Sequence, residues 1–161
     1  MTRFAMPHVL LLACLLALAE MQAHCSQAVA ETEEEGLKQD YKAVEGTWER
    51  TIKDAAGNVL RGVKAERAGK STVTYFDPNG LAIYQHTSEY ELKRQGSSRI
   101  FRYRNKTITK GEQQGLVQKE PREYLYRVSG DEFVEIHGML VGQEQERVQV
   151  LVWKRVKEDE A

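Results

Sequence analysis

Beyond residue 30 the chain has no cysteine; its only two, Cys14 and Cys25, come earlier. Over 31–161 this excludes a thiol nucleophile and a thiolate metal site. It also means that a core there holds without a disulfide, which a chain of this size can do. Histidine is nearly as scarce, with only His86 and His137 after residue 30. They stand on separate segments with no third ligand at a matching spacing, so no metal site is expected. Ser88 shares a strand face with His86, and Glu135 lies near His137, but neither pair finds the third member that a triad needs. A Gly-rich phosphate loop and a dinucleotide fingerprint are missing too. With no catalytic constellation, the expectation is a protein that is not an enzyme and needs no cofactor.

Long apolar runs are also lacking, with one exception at the start. Val9 to Ala19 is an unbroken run of eleven apolar residues, preceded by Arg3 and followed by Ala28-Val29-Ala30. Eleven residues fall short of the roughly 20 that span a bilayer. A positive start, a short apolar stretch and an A-x-A site define a signal peptide over 1–30, with cleavage before Glu31 and an exported, periplasmic or extracellular, product. Cleavage removes one cation, Arg3, and one acid, Glu20, so the net charge stays at −1. A balance so close to zero argues against a nucleic-acid partner. No transmembrane segment is expected after cleavage, and the mature protein is expected to be a monomer.

What remains is a single domain with little helical patterning. Residues 31–43 form an acidic linker with a short helical turn, in which Leu37, Tyr41 and Val44 are spaced as on one helix face. From Val44 to Val156 the pattern has period two and is cut by turn signals such as Asp77-Pro78-Asn79-Gly80. Strands are expected at 44–53, 59–67, 72–76, 81–94, 99–104, 122–128, 132–137 and 147–156, with a loop over 110–121 and a charged tail at 157–161. On the second strand Val59, Val63 and Ala65 share a face. About eight short strands joined by short turns predict an all-β fold, an antiparallel sandwich or up-and-down barrel.

Two stretches suggest which. Gly46-Thr47-Trp48 heads the first strand, and Trp153-Lys154-Arg155-Val156 ends the last; Tyr126 to Asp131 adds a Gly-Asp turn between them. These resemble the secreted bacterial lipocalin-like domains. The resemblance implies an eight-stranded closed barrel, in many members with a small-molecule cavity. Closure leaves no edge strand, so the first and last strands pair. Gly46, Trp48 and Arg155 then form the closure: Trp48 plugs the narrow end, and Arg155 or Lys154 lies on its ring as a cation–π contact. Trp153, by alternation, stands off the face of Val150 and Val152.

The candidate ligand site is the polar face of the fourth strand, Tyr84, His86, Ser88 and Tyr90, joined by Tyr103, Tyr124 and Tyr126. Such groups can fix a small, partly apolar molecule with a few placed hydrogen bonds. The competing expectation is a packed barrel acting as a structural or interaction protein. It would use the basic stretch 93–110, where Lys93, Arg94, Arg99, Arg102, Arg104, Lys106 and Lys110 occur with no acid among them. An interior void of about 300 Å³ or more would favour the ligand site.

Overall fold

The computed structural model describes residues 33–140, 142–143 and 147–157. The expected leader, its cleavage site and the end of the charged tail lie outside the described residues. Two compact units are distinguished, Met1–Lys38 and Gln39–Ala161. In the first, residues 33–38 are helical, and Lys38 pairs with Glu34 one turn earlier at 2.8 Å.

The second unit begins with the helical residues 39–44; α1 denotes the whole helical stretch 33–44, longer than the short turn expected. Among the described residues nine strands follow: β1 (Gly46–Lys53), β2 (Val59–Arg67), β3 (Lys70–Phe76), β4 (Ala82–Gln95), β5 (Ser98–Lys110), β6 (Val117–Gln118), β7 (Arg122–Ser129), β8 (Glu132–His137) and β9 (Gln149–Arg155). All pairings are antiparallel, in the order β4-β3-β2-β1-β9-β8-β7-β5, with β4 also paired to β5. Eight strands therefore close into a barrel, and β6 is a two-residue addition to β5 within the expected 110–121 loop. The eight expected strands correspond to β1–β5 and β7–β9, with ends moved by a few residues.

Closure runs through two register pairs of β1 with β9, Trp48↔Arg155 and Glu49↔Lys154. So short a ladder is reinforced by side chains. Trp48 is fully buried, its indole N–H donates to the Val44 carbonyl at 2.9 Å, and its ring meets Phe133 edge-on. The Arg155 guanidinium lies over the indole, 4.0 Å from the ring centroid, and donates to the carbonyls of Ala43 and Glu45 at 2.7 and 2.8 Å. These carbonyls are at or just past the end of α1 and lack helical partners, so a cation is favoured there. Gly46 makes the arrangement possible. Its φ is +132°, and a Cβ there would sit 2.5 Å from Arg155 Nη1.

On the same end of the barrel, residues 39–44 are held by charge and by rings. The buried Asp40 accepts from Arg94 Nε at 2.7 Å and pairs with Arg99 at 3.2 Å, while the Tyr41 hydroxyl accepts from the Leu92 N–H at 3.0 Å. Above this end the core is aromatic. Phe101 stacks between Tyr90 and Tyr124 at centroid separations of 4.7 and 4.9 Å.

Three elements face otherwise than their patterns suggest. On β2 the interior face is Leu60, Gly62, Lys64 and Glu66, while Val59, Val63 and Ala65 look outward. On β9 Val150 and Val152 are the exposed face and Trp153, 2 % exposed, points into the core. On β5 the partners step from Glu89↔Arg104 to Thr87↔Thr107, so Asn105 and Lys106 stand opposite Ser88 alone. This is a bulge, with Asn105 left-handed at φ +54°. It shifts the alternation by one, and Lys106 turns inward.

Candidate functional site

A cavity of about 170 Å³ occupies the barrel away from the Trp48 end. Of the candidate residues, His86, Ser88, Tyr103 and Tyr124 line it. Tyr90 is instead core, stacked on Phe101 and on Tyr41. Tyr126 is also core, packed edge-on to Phe101 and Phe133. Tyr84 is set back from the cavity, its ring against Tyr75 and His86. Its β4 face is the interior one, but the face runs longer than the cavity.

The most polar part of the wall comes from β2 and β8, which the candidate list omitted. Lys64 is 3 % exposed, with its ammonium 3.0 Å from Glu66 Oε1 and 2.9 Å from the Tyr124 hydroxyl. A second carboxylate, Glu135, accepts from the same ammonium at very short range. Tyr124 donates to Glu135 Oε1 at 3.2 Å, Ser71 donates to Glu66 Oε1 at 2.9 Å, and His137 Nε2 lies 3.2 Å from Glu135 Oε2. Aromatic faces surround the ammonium, with the Phe133 and Phe101 centroids 4.5 and 4.6 Å away.

The two carboxyls are not equivalent. Burial pushes Glu135 up, but Lys64 and the His137 hydrogen bond outweigh it and hold the group down to about 2. Burial prevails at Glu66, which is raised despite Lys64. Lys64 itself is raised, because the two carboxylates together outweigh its desolvation. Lys64 and Glu135 thus form an ionised pair, and Glu66 is the carboxyl that takes a proton first. A paired, hydrogen-bonded set of this kind is the condition under which buried charge is tolerated.

The remaining polar wall is less complete. His86, on β4, is pushed down to about 4 by burial and by Lys106 and Lys64, so it is neutral near pH 7. Its Nδ1 is buried without a partner, as is the indole N–H of Trp153. Behind Trp153 stands Arg50, its guanidinium 4.6 Å from the indole centroid and donating to the Tyr75 hydroxyl at 2.7 Å. Tyr75 and Trp153 both line the cavity. Room for Tyr75 comes from Gly62, where a Cβ would meet the tyrosine ring at 2.8 Å.

The basic stretch does not form a bare cationic stripe. Lys93 and Arg102 pair with Glu91 and Glu123, Arg104 pairs with Glu89, and Arg94 and Arg99 hold Asp40. Lys106 belongs to the cavity wall. The acids that the stretch itself lacks come from neighbouring strands and from α1.

Among the described residues no group of three or more His, Cys, Asp or Glu side chains is placed to hold a metal ion, and no helix is long and apolar enough to cross a membrane. No family model, curated protein or solved structure matches the chain.

Proposed function

We propose that the chain is an exported lipocalin-like binding module that holds one small, partly apolar molecule in its barrel. The observation that carries this reading is the incomplete wall. A cavity bordered by Val73, Phe101 and Leu151 also has two buried ring nitrogens, His86 Nδ1 and Trp153 Nε1, with no partner. Buried polar groups are ordinarily satisfied, and a ligand can supply what is missing. Export rests on the apolar run 9–19 and the Ala28-Val29-Ala30 site.

At about 170 Å³ the cavity is smaller than the roughly 300–1,000 Å³ of sites for drug-sized ligands. The ligand is therefore fragment-sized. The same small volume favours the second reading, a packed barrel that acts through its outer surface. The two separate in a thermal-shift screen of fragment-sized neutral, cationic and anionic compounds. A binding module is stabilised by at least one of them in a concentration-dependent way. Ser88→Leu, which projects into the cavity, then abolishes that shift. If no compound of any charge stabilises the protein, and Ser88→Leu raises the melting temperature by filling an empty void, the packed barrel is correct.

A further inference from the structure

The barrel interior holds more cations than anions. Lys64 is matched by Glu135 and Glu66. Two further cations face no carboxylate among the described contacts. One is Arg50, whose guanidinium is occupied only by the Tyr75 hydroxyl and the Tyr75 and Trp153 rings. The other is Lys106, turned inward by the β5 bulge. Counting Lys64, Arg50 and Lys106 against Glu66 and Glu135, with both carboxyls ionised, one positive charge is left over; protonation of Glu66 would leave two.

The unmet hydrogen bonds are of both signs: Glu66 Oε2 is a buried acceptor without a partner, while the unmet atoms of the cavity wall and of Arg50 can donate. Arg50 Nε and Trp153 Nε1 are buried donors without an acceptor, and His86 Nδ1 can donate in one tautomer. Lys106 is disfavoured as an ammonium by burial and by the nearby Arg122. An uncompensated cation in a half-buried position is costly, and this barrel pairs its other interior lysine fully. Lys93, Arg102 and Arg104 on the same hairpin meet acids, and Lys106 meets none among the described contacts.

We propose that the cavity takes a small organic monoanion, a carboxylate on a compact apolar body. Its charge lies within reach of Lys106 and His86, and its apolar part packs on Val73, Phe101 and Leu151. This inference rests on the binding-module reading and specifies its ligand chemistry. The volume excludes a long acyl chain. The apolar part of the wall distinguishes the ligand from a bare inorganic anion.

Isothermal titration of the purified protein with benzoate, benzamide, benzylamine and inorganic phosphate, at constant ionic strength, tests the inference. Benzoate should bind about ten-fold or more tightly than its neutral and cationic isosteres and than phosphate, as a charge-assisted pair in a desolvated site requires. Lys106→Gln should weaken benzoate about ten-fold while leaving any benzamide affinity unchanged, and Lys106→Arg should retain most of it. Lys106 is only half-buried, so Lys106→Gln should fold, which circular dichroism checks. Benzamide, benzylamine or phosphate binding as well as benzoate would overturn the inference, as would an unchanged benzoate affinity in Lys106→Gln. A neutral or cationic hit in the wider screen, with benzoate silent, would reject the anion and keep the binding module.

Discussion

At the scale of single residues, the closure depends on Trp48, Arg155 and Gly46 acting on one another. Trp48 fills the end of the barrel and caps a helix carbonyl; Arg155 covers its ring and takes two more carbonyls. Trp48→Ala should cost about 3–5 kcal/mol in urea unfolding, as for other emptied aromatic sites. Arg155→Ala should cost less, since its guanidinium adds a cation–π contact and charge-assisted bonds to an end that Trp48 already fills. The double variant should fall short of the sum, because the two side chains share one contact. Additive losses would mean that the ring and the guanidinium act independently.

Among the elements, β5 shows how one residue redirects a strand. Asn105 is left-handed, a conformation that asparagine tolerates and β-branched residues do not. The extra residue there turns Lys106 from the outer face to the cavity. Asn105→Val should therefore destabilise by about 1–2 kcal/mol, while Asn105→Gly should be nearly neutral. Chemical denaturation measures both, and equal losses would show that backbone strain is not what sets this position. Neither the bulge nor the inward lysine was legible in the run Arg102 to Lys106. Strict alternation places Arg102, Arg104 and Lys106 on one face, and only pairing with Ser88 reveals the insertion.

For the molecule as a whole, the interior charges predict how stability varies with pH. His86 has its folded pKa lowered to about 4, so the native state disfavours its protonation. Its contribution is complete above the unfolded value near 6.5 and is lost as pH falls from there toward 4. Between pH 7 and 4.5 this amounts to about 2 kcal/mol. Glu66, whose pKa is raised, acts in the opposite direction, stabilising at low pH and losing that contribution as pH rises through its folded value. His86→Gln isolates the histidine term, since Glu66 is common to both proteins. Its urea stability should fall less than wild type over that pH range, by about 2 kcal/mol. An equal fall in both proteins would place the effect elsewhere. Period-two patterning and turn residues, which are local signals, were enough for an all-β sandwich or barrel; the closed barrel of eight strands, the pairing of its ends and the burial of Trp48 followed only from what the resemblance of Gly46-Thr47-Trp48 and Trp153 to Val156 implied. Part of the site was legible as well, His86, Ser88, Tyr103 and Tyr124, because they lie on strands whose inward face was identifiable. Lys64, Glu66 and Glu135 were not. On β2 the apolar residues look outward and the charged ones inward, and burying charge is tolerable only where partners from distant strands meet it. That meeting joins β2 to β8 across the barrel, and it exists only once the sheet has closed.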